Sequence, residues 1–118
     1  MNSQKKGKSY ELEIAHKLEC LTGIPMKRTG AQEKWKSRSG DVNPARPSLL
    51  SRFHWELKKR ESWNILEWYK KAKDDAEILR TPVVVCSKNH EEDYVFMRLE
   101  DFTKLLVELD GFVKESEK

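Results

Sequence analysis

The stretch Phe53-His54-Trp55-Glu56-Leu57-Lys58-Lys59 fixes the reading of the fold. Successive side chains of an extended strand point to opposite faces. Phe53, Trp55 and Leu57 therefore share one face, and His54, Glu56 and Lys58 share the other. The first face is apolar and belongs against a core. The second carries an acid and a base two positions apart. The alternation extends upstream, so a strand is expected from Leu49 to Lys59.

On the N-terminal side, Asn43 to Ser48 contains two prolines and reads as a turn. Residues 30–40, rich in glycine, serine and charge, read as a mobile loop, and 26–29 as a short strand. A helix is expected from about Ser9 to Thr22, with Ile14, Ala15, Leu18 and Leu21 at helical spacing and Gly23 and Pro25 ending it. Residues 1–8 and 114–118 read as frayed tails.

On the C-terminal side, Asn64 followed by Glu67 resembles a capping box. It opens a helix with Ile65, Trp68, Tyr69, Ala72, Ala76 and Leu79 on one stripe. Strands are expected over Thr81 to Ser87 and Tyr94 to Leu99, with a turn from Lys88 to Asp93. The last helix carries Phe102, Leu105, Leu106 and Leu109 at steps of three and four. This order predicts an α/β or α+β domain, a mixed central sheet flanked by helices. The 118 residues fit one domain spanning 1–118.

Charged residues make up 36% of the chain, against about a quarter in an ordinary domain. The 37% hydrophobic content and four tryptophans argue for a folded domain rather than a disordered one. Net charge is only +3, but it is unevenly spread. Lysine and arginine dominate from Lys5 to Arg38, while acids gather later, as at Glu91, Glu92 and Asp93. A basic front half suits phosphate; it also suits a plain soluble surface. Cys20 and Cys86 form no metal-ligand pattern and are expected to be free, buried thiols. No signal peptide or membrane-spanning run is seen, so the cytoplasm is the expected compartment. No glycine-rich nucleotide loop is present, and no organic cofactor is expected.

The chemistry concentrates in Gly40-Asp41 and, after fourteen intervening residues, Glu56-Leu57-Lys58. If Asp41 lies on or beside a neighbouring strand, two carboxylates and an ammonium converge. Carboxylates so placed push each other toward protonation. A divalent cation relieves this, and oxygen donors suit Mg²⁺ or Mn²⁺. Such a site can hydrolyse a phosphodiester, with Lys58 offsetting charge on the phosphorus centre. The plainer reading is an exposed strand with a weak Glu–Lys pair. Glu11 adds a second signal: Ile14, Ala15 and Leu18 fall within about 60° of it on a helical wheel. It is either a third acid reaching the site or an edge residue whose head reaches water. His16, His54 and His90 form no ligand set, and His54 reads as an ordinary strand histidine.

Lys6-Gly7, Glu11 four residues after that glycine, Arg28, Gly40-Asp41 and Glu56-Leu57-Lys58 together resemble the archaeal-type Holliday junction resolvases. They resemble still more the small phage resolvase-like nucleases of the PD-(D/E)XK superfamily. The basic segment Lys58-Lys59-Arg60 leading to Trp63 and then Trp68-Tyr69, and the final Phe102-Thr103-Lys104-Leu105-Leu106, fit the same pattern. The resemblance covers roughly residues 5–107. It implies a restriction-endonuclease-like core and an Mg²⁺-dependent structure-specific endonuclease, with Mn²⁺ able to substitute. Asp41, Glu56 and the Leu57 carbonyl would bind the metal, Glu11 would do so directly or through water, and Lys58 would be the catalytic lysine. Gly40 stands where the signature has proline. A glutamine common on the following helix would fall near Lys71.

The resemblance also implies a homodimer acting on branched DNA, in a phage-infected or prokaryotic cell. Lys6, Lys8, Arg28, Lys34, Trp35, Lys36, Arg38, Ser39 and Arg60 are the expected DNA contacts, Trp35 by stacking on a base. Trp55, Trp63, Trp68 and Tyr69 read instead as core or dimer contacts. Three activities remain open: junction resolution, cleavage of other branched, nicked or duplex DNA, and DNA binding without catalysis.

Overall fold

The computed structural model describes residues 3–29 and 40–117. Its elements run α1 (Ser3–Thr22), β1 (Met26–Arg28), β2 (Val42–Pro44), a 3-10 turn (Leu49–Arg52), β3 (Phe53–Lys59), α2 (Ile65–Asp75), β4 (Thr81–Ser87), β5 (Tyr94–Phe96) and α3 (Leu99–Ser116). β3 pairs in parallel with β4 across the α2 crossover, and β4 pairs antiparallel with β5. β1 and β2 form a separate antiparallel ribbon. The result is the expected α+β domain, a mixed three-stranded sheet between helices.

The alternation in β3 is what layers the molecule. Trp55 lies beside Val83 and Leu57 beside Val85, and these four pack with Tyr10, Ile14 and Ala15 of α1 in the larger core. Glu56 lies beside Val84 and Lys58 beside Cys86. On that face Val84, Cys86 and Ala72 of α2 form a smaller core, with Trp63, Trp68 and Tyr69 packed against it. The aromatics expected in the core are there. Asp93 ties α1 to the β4–β5 turn, accepting hydrogen bonds from Tyr10 at 2.8 Å and Lys17 at 2.6 Å.

Several boundaries differ from expectation. α1 begins at Ser3 rather than near Ser9. It ends as expected at Gly23, whose φ of 75° suits a residue without a Cβ. Leu49–Arg52 is a 3-10 turn, not strand: Ser48 N–H donates to Ser51 Oγ, and Ser51 N–H to the Ser48 carbonyl, both at 3.0 Å. Local serine bonds of this kind outcompete the ladder. Asn64 makes no side-chain cap, so the expected capping box is absent. α2 stops at Asp75, leaving Leu79 beyond it and exposed. β5 ends at Phe96 because Leu99 opens α3, where Glu100 and Asp101 favour a helix start. Cys86 is buried as expected, whereas Cys20 is exposed, and both are free thiols. Among the described residues, no helix is long and apolar enough to cross a membrane.

Candidate active site

The site grows from the junction of the β1–β2 ribbon with β3. Gly40 passes directly against the backbone of Trp55: a Cβ there would lie 2.6 Å from the Trp55 nitrogen and 2.7 Å from its oxygen. Contacts that short are not tolerated, so this position excludes side chains, proline included. The approach lets Asp41 N–H donate to the Trp55 carbonyl at 2.7 Å, while the Asp41 carbonyl accepts from Thr29 N–H at 3.0 Å. Asp41 Oδ2 then accepts the Leu57 N–H at 2.8 Å. The aspartate is thus fixed across the strand that carries Glu56.

Glu56 is 3% exposed. Burial first, and the nearby Asp41 carboxylate second, push its carboxyl above the usual carboxylate range. Two lysines oppose the shift. Lys71 Nζ of α2 hydrogen-bonds Glu56 Oε1 at 3.1 Å, and Lys58 Nζ stands 3.9 Å from the same atom. Burial pulls the Lys71 ammonium down, but Glu56 and then Asp41 outweigh it and raise Lys71 above its ordinary value. Asp41, Glu56 and Lys58 are therefore brought together: strand alternation sets Glu56 and Lys58 on one face, and the approach of Gly40-Asp41 to β3 adds Asp41.

Glu11 is placed differently. It is largely buried at the edge of the apolar stripe of α1, and its Oε2 accepts from Arg28 Nε at 2.6 Å. Arg28, expected on DNA, is thus engaged by Glu11. Among the described residues, no three His, Cys, Asp or Glu side chains gather closely enough to hold a metal ion. The donors that fit a hard cation are the Asp41 and Glu56 carboxylates, whose mutual charge is offset by lysine here.

Lys6 and Lys59 line a cleft of about 350 Å³ with Tyr10 and Glu13, near the end of β3. Arg60 follows, with its N–H donating to the Ser87 carbonyl and its guanidinium to the Lys59 carbonyl, both at 3.0 Å. Lys8 is exposed on α1. Lys34, Trp35, Lys36, Arg38 and Ser39 lie outside the described residues.

Sequence reading alone left Lys71 in doubt and did not single out Arg80. Arg80 Nη1 donates to Asn43 Oδ1 at 2.9 Å, and Asn43 Nδ2 to the buried Thr29 hydroxyl. Arg80 gives no motif, because it stands between α2 and β4 and only the fold brings it to β2. His54 is buried on the Glu56 face, and its Nδ1 lacks a hydrogen-bond partner among the described residues. Burial lowers its pKa against the pull of Asp41 and Asp75, which keeps the imidazole neutral.

A mixed sheet flanked by helices, carrying Asp41, Glu56 and Lys58 on and beside its edge strand β3, defines a nuclease-like core of the PD-(D/E)XK class. Residues 2–115 match the family model described as phage putative PDDEXK endonuclease, and the chain belongs to that family. No curated protein and no solved structure matches it.

Proposed function

We propose that the chain is a divalent-cation-dependent endonuclease acting on branched DNA, most specifically on four-way junctions, in a phage-infected or prokaryotic cell. The observation that carries the reading is the pinning of Asp41 across β3 by its 2.8 Å bond to Leu57 N–H, beside buried Glu56 and within reach of Lys58. A buried carboxylate beside a second one costs stability, and a site that holds Mg²⁺ or Mn²⁺ explains why both are kept. Asp41, Glu56 and the Leu57 main-chain carbonyl would hold the cation. When bound, it supplies Lewis acidity for phosphodiester hydrolysis.

Lys58 stabilises charge building on the scissile phosphate, its ammonium held near by Glu56. Lys71, which hydrogen-bonds Glu56 at 3.1 Å, would be available to the DNA backbone if Glu56 served a cation. Glu11 holds Arg28 by their 2.6 Å ion pair and would support the ligand set from α1. Lys6, Lys8 and Arg60 bind phosphates, which position DNA without reading sequence, so binding weakens with salt.

The test uses a labelled four-way junction and matched duplex, with Mg²⁺, Mn²⁺ or EDTA, comparing wild type with Glu56→Ala. Paired cuts confined to the junction, absent with EDTA and in the variant, are expected. Cutting of both substrates would retain the nuclease and remove the junction preference. Tight binding without cleavage in either metal would contradict the enzymatic reading.

A further inference from the structure

A chain of hydrogen bonds runs from Arg80 to the corner that carries Asp41. Arg80 stands between α2 and β4, and its side chain is 24% exposed. Its own turn holds it. Arg80 N–H donates to the Glu77 carbonyl at 2.9 Å, and Nε lies 3.8 Å from the Glu77 carboxylate. Nη1 extends to the ribbon and donates to Asn43 Oδ1 at 2.9 Å. That bond sets the orientation of the Asn43 amide: its oxygen faces the guanidinium, so its nitrogen faces away. Asn43 Nδ2 donates to the Thr29 hydroxyl and, at 3.4 Å, to the Gly40 carbonyl. Thr29 and Gly40 flank residues 30–39, and Gly40 precedes Asp41. Thr29 N–H completes the ring by donating to the Asp41 carbonyl at 3.0 Å.

The ribbon gains from such support. β1 and β2 pair over three residues each, and two strands alone are marginal in water. Met26 and Val42 anchor one face of the ribbon in the larger core. Side chains alternate along a strand, so Asn43 turns to the opposite face, where hydrogen bonds hold it. Thr29 is 2% exposed, and a hydroxyl so buried is costly without a partner. The Arg80 bond is charge-assisted and stronger than a neutral one. A polar network satisfied in this way is rigid.

We propose that Arg80 is a positioning residue for Asp41. Through Asn43 it clamps Thr29 to Gly40 and so sets the Asp41 carboxylate beside Glu56. Its effect on cleavage rests on the reading of Asp41 as a cation ligand. The clamp complements the bonds across β3: Trp55 and Leu57 fix Asp41 from the strand side, and Asn43 and Thr29 fix the backbone from the ribbon side. Rate is sensitive to both, because a displacement of about 1 Å at a reacting centre can cost about a hundredfold.

Cleavage of the labelled junction in Mn²⁺ and amide hydrogen exchange test it together. Arg80→Ala should keep its circular dichroism and lower kcat about ten- to a hundredfold, with KM within roughly twofold. Arg80→Lys should recover most of that loss, since an ammonium can still donate to Asn43 Oδ1. Thr29→Val removes the acceptor at the other end and should lower kcat alike. Combined with Arg80→Ala it should cost no more than about either change alone, because both act through Asn43. In Arg80→Ala the Thr29 and Asp41 amides should exchange roughly tenfold faster, with those of Val83, Val84 and Val85 unchanged. Exchange needs no cleavage. A wild type that cuts no DNA, with both amides still loosened in Arg80→Ala, would remove the nuclease reading and support the clamp. Amides and kcat at wild-type values in Arg80→Ala, a lowered urea midpoint with kcat retained, or additive losses with Thr29→Val would overturn the proposal.

Discussion

The two faces of β3 are built from one strand, and both are buried, yet they obey opposite rules. Toward α1, Trp55 and Leu57 fill an apolar core together with Val83, Val85, Tyr10 and Ile14. Toward α2, His54 and Glu56 are buried with one imidazole nitrogen unpartnered among the described residues and one carboxyl pushed toward protonation. The first face is what a stable fold selects. The second lowers stability, so its retention points to use. Burial alone does not separate core from site; the chemistry of what is buried does.

The largest expected effect falls on the apolar face. Trp55→Ala should cost about 3–5 kcal/mol, as large-to-small core changes do, and should lower the urea midpoint accordingly. A loss under about 1 kcal/mol would break the contrast from that side.

Glu56→Gln should do the reverse, lowering cleavage by about a hundredfold or more with no loss of stability. The sign follows from linkage. A carboxyl whose folded pKa lies above its unfolded value binds its proton more tightly in the folded state. Stability is then highest at low pH and falls as pH rises from the ordinary carboxylate range through the raised value. Removing the ionisable group should flatten that part of the stability profile, as read by denaturation at several pH values. An unchanged profile would show that Glu56 is not the group responsible.

Gly40→Ala sharpens the comparison at the point where the ribbon meets β3. Its Cβ would collide with the Trp55 backbone, and overpacking of this kind costs about 1–3 kcal/mol. Because the shift would move Asp41, cleavage should fall more than stability does, and kinetics measured well below the melting temperature separate the two. The smallest effect is expected from Lys71→Ala. Lys71 is exposed, so stability should change by less than about 1 kcal/mol, while the Glu56 titration followed by NMR should move further upward.

Much of this was legible in the sequence because strand alternation is local. Residues 53–59 alone assigned Glu56 and Lys58 to one face and Trp55 and Leu57 to the other. The placement of Asp41 was legible only as a spacing from Glu56, since its bonds to Trp55, Leu57 and Thr29 are long-range. Glu11 was legible as a carboxylate on the apolar side of α1, either a third acid for the site or an edge residue, and the structure places it largely buried against Arg28. Its ion pair with Arg28 was not foreseen, because it depends on how α1 packs on β1. The missed boundaries share a cause: serine–serine bonds at the 3-10 turn and the early start of α3 are decided by local hydrogen bonds and charge, which hydrophobic periodicity does not register. The apolar rhythm of the last helix was seen, but periodicity gives the stripe and not what it faces.

The central claim is that the polar face of β3 holds a divalent cation. The most direct test is thermal unfolding with and without Mn²⁺, for wild type and for Asp41→Asn combined with Glu56→Gln. A ligand that binds only the folded state adds about 2.7 kcal/mol at a hundred times its Kd. Wild type should therefore melt higher in Mn²⁺, and the double variant should not respond. No shift in wild type, or an equal shift in both, would contradict the account.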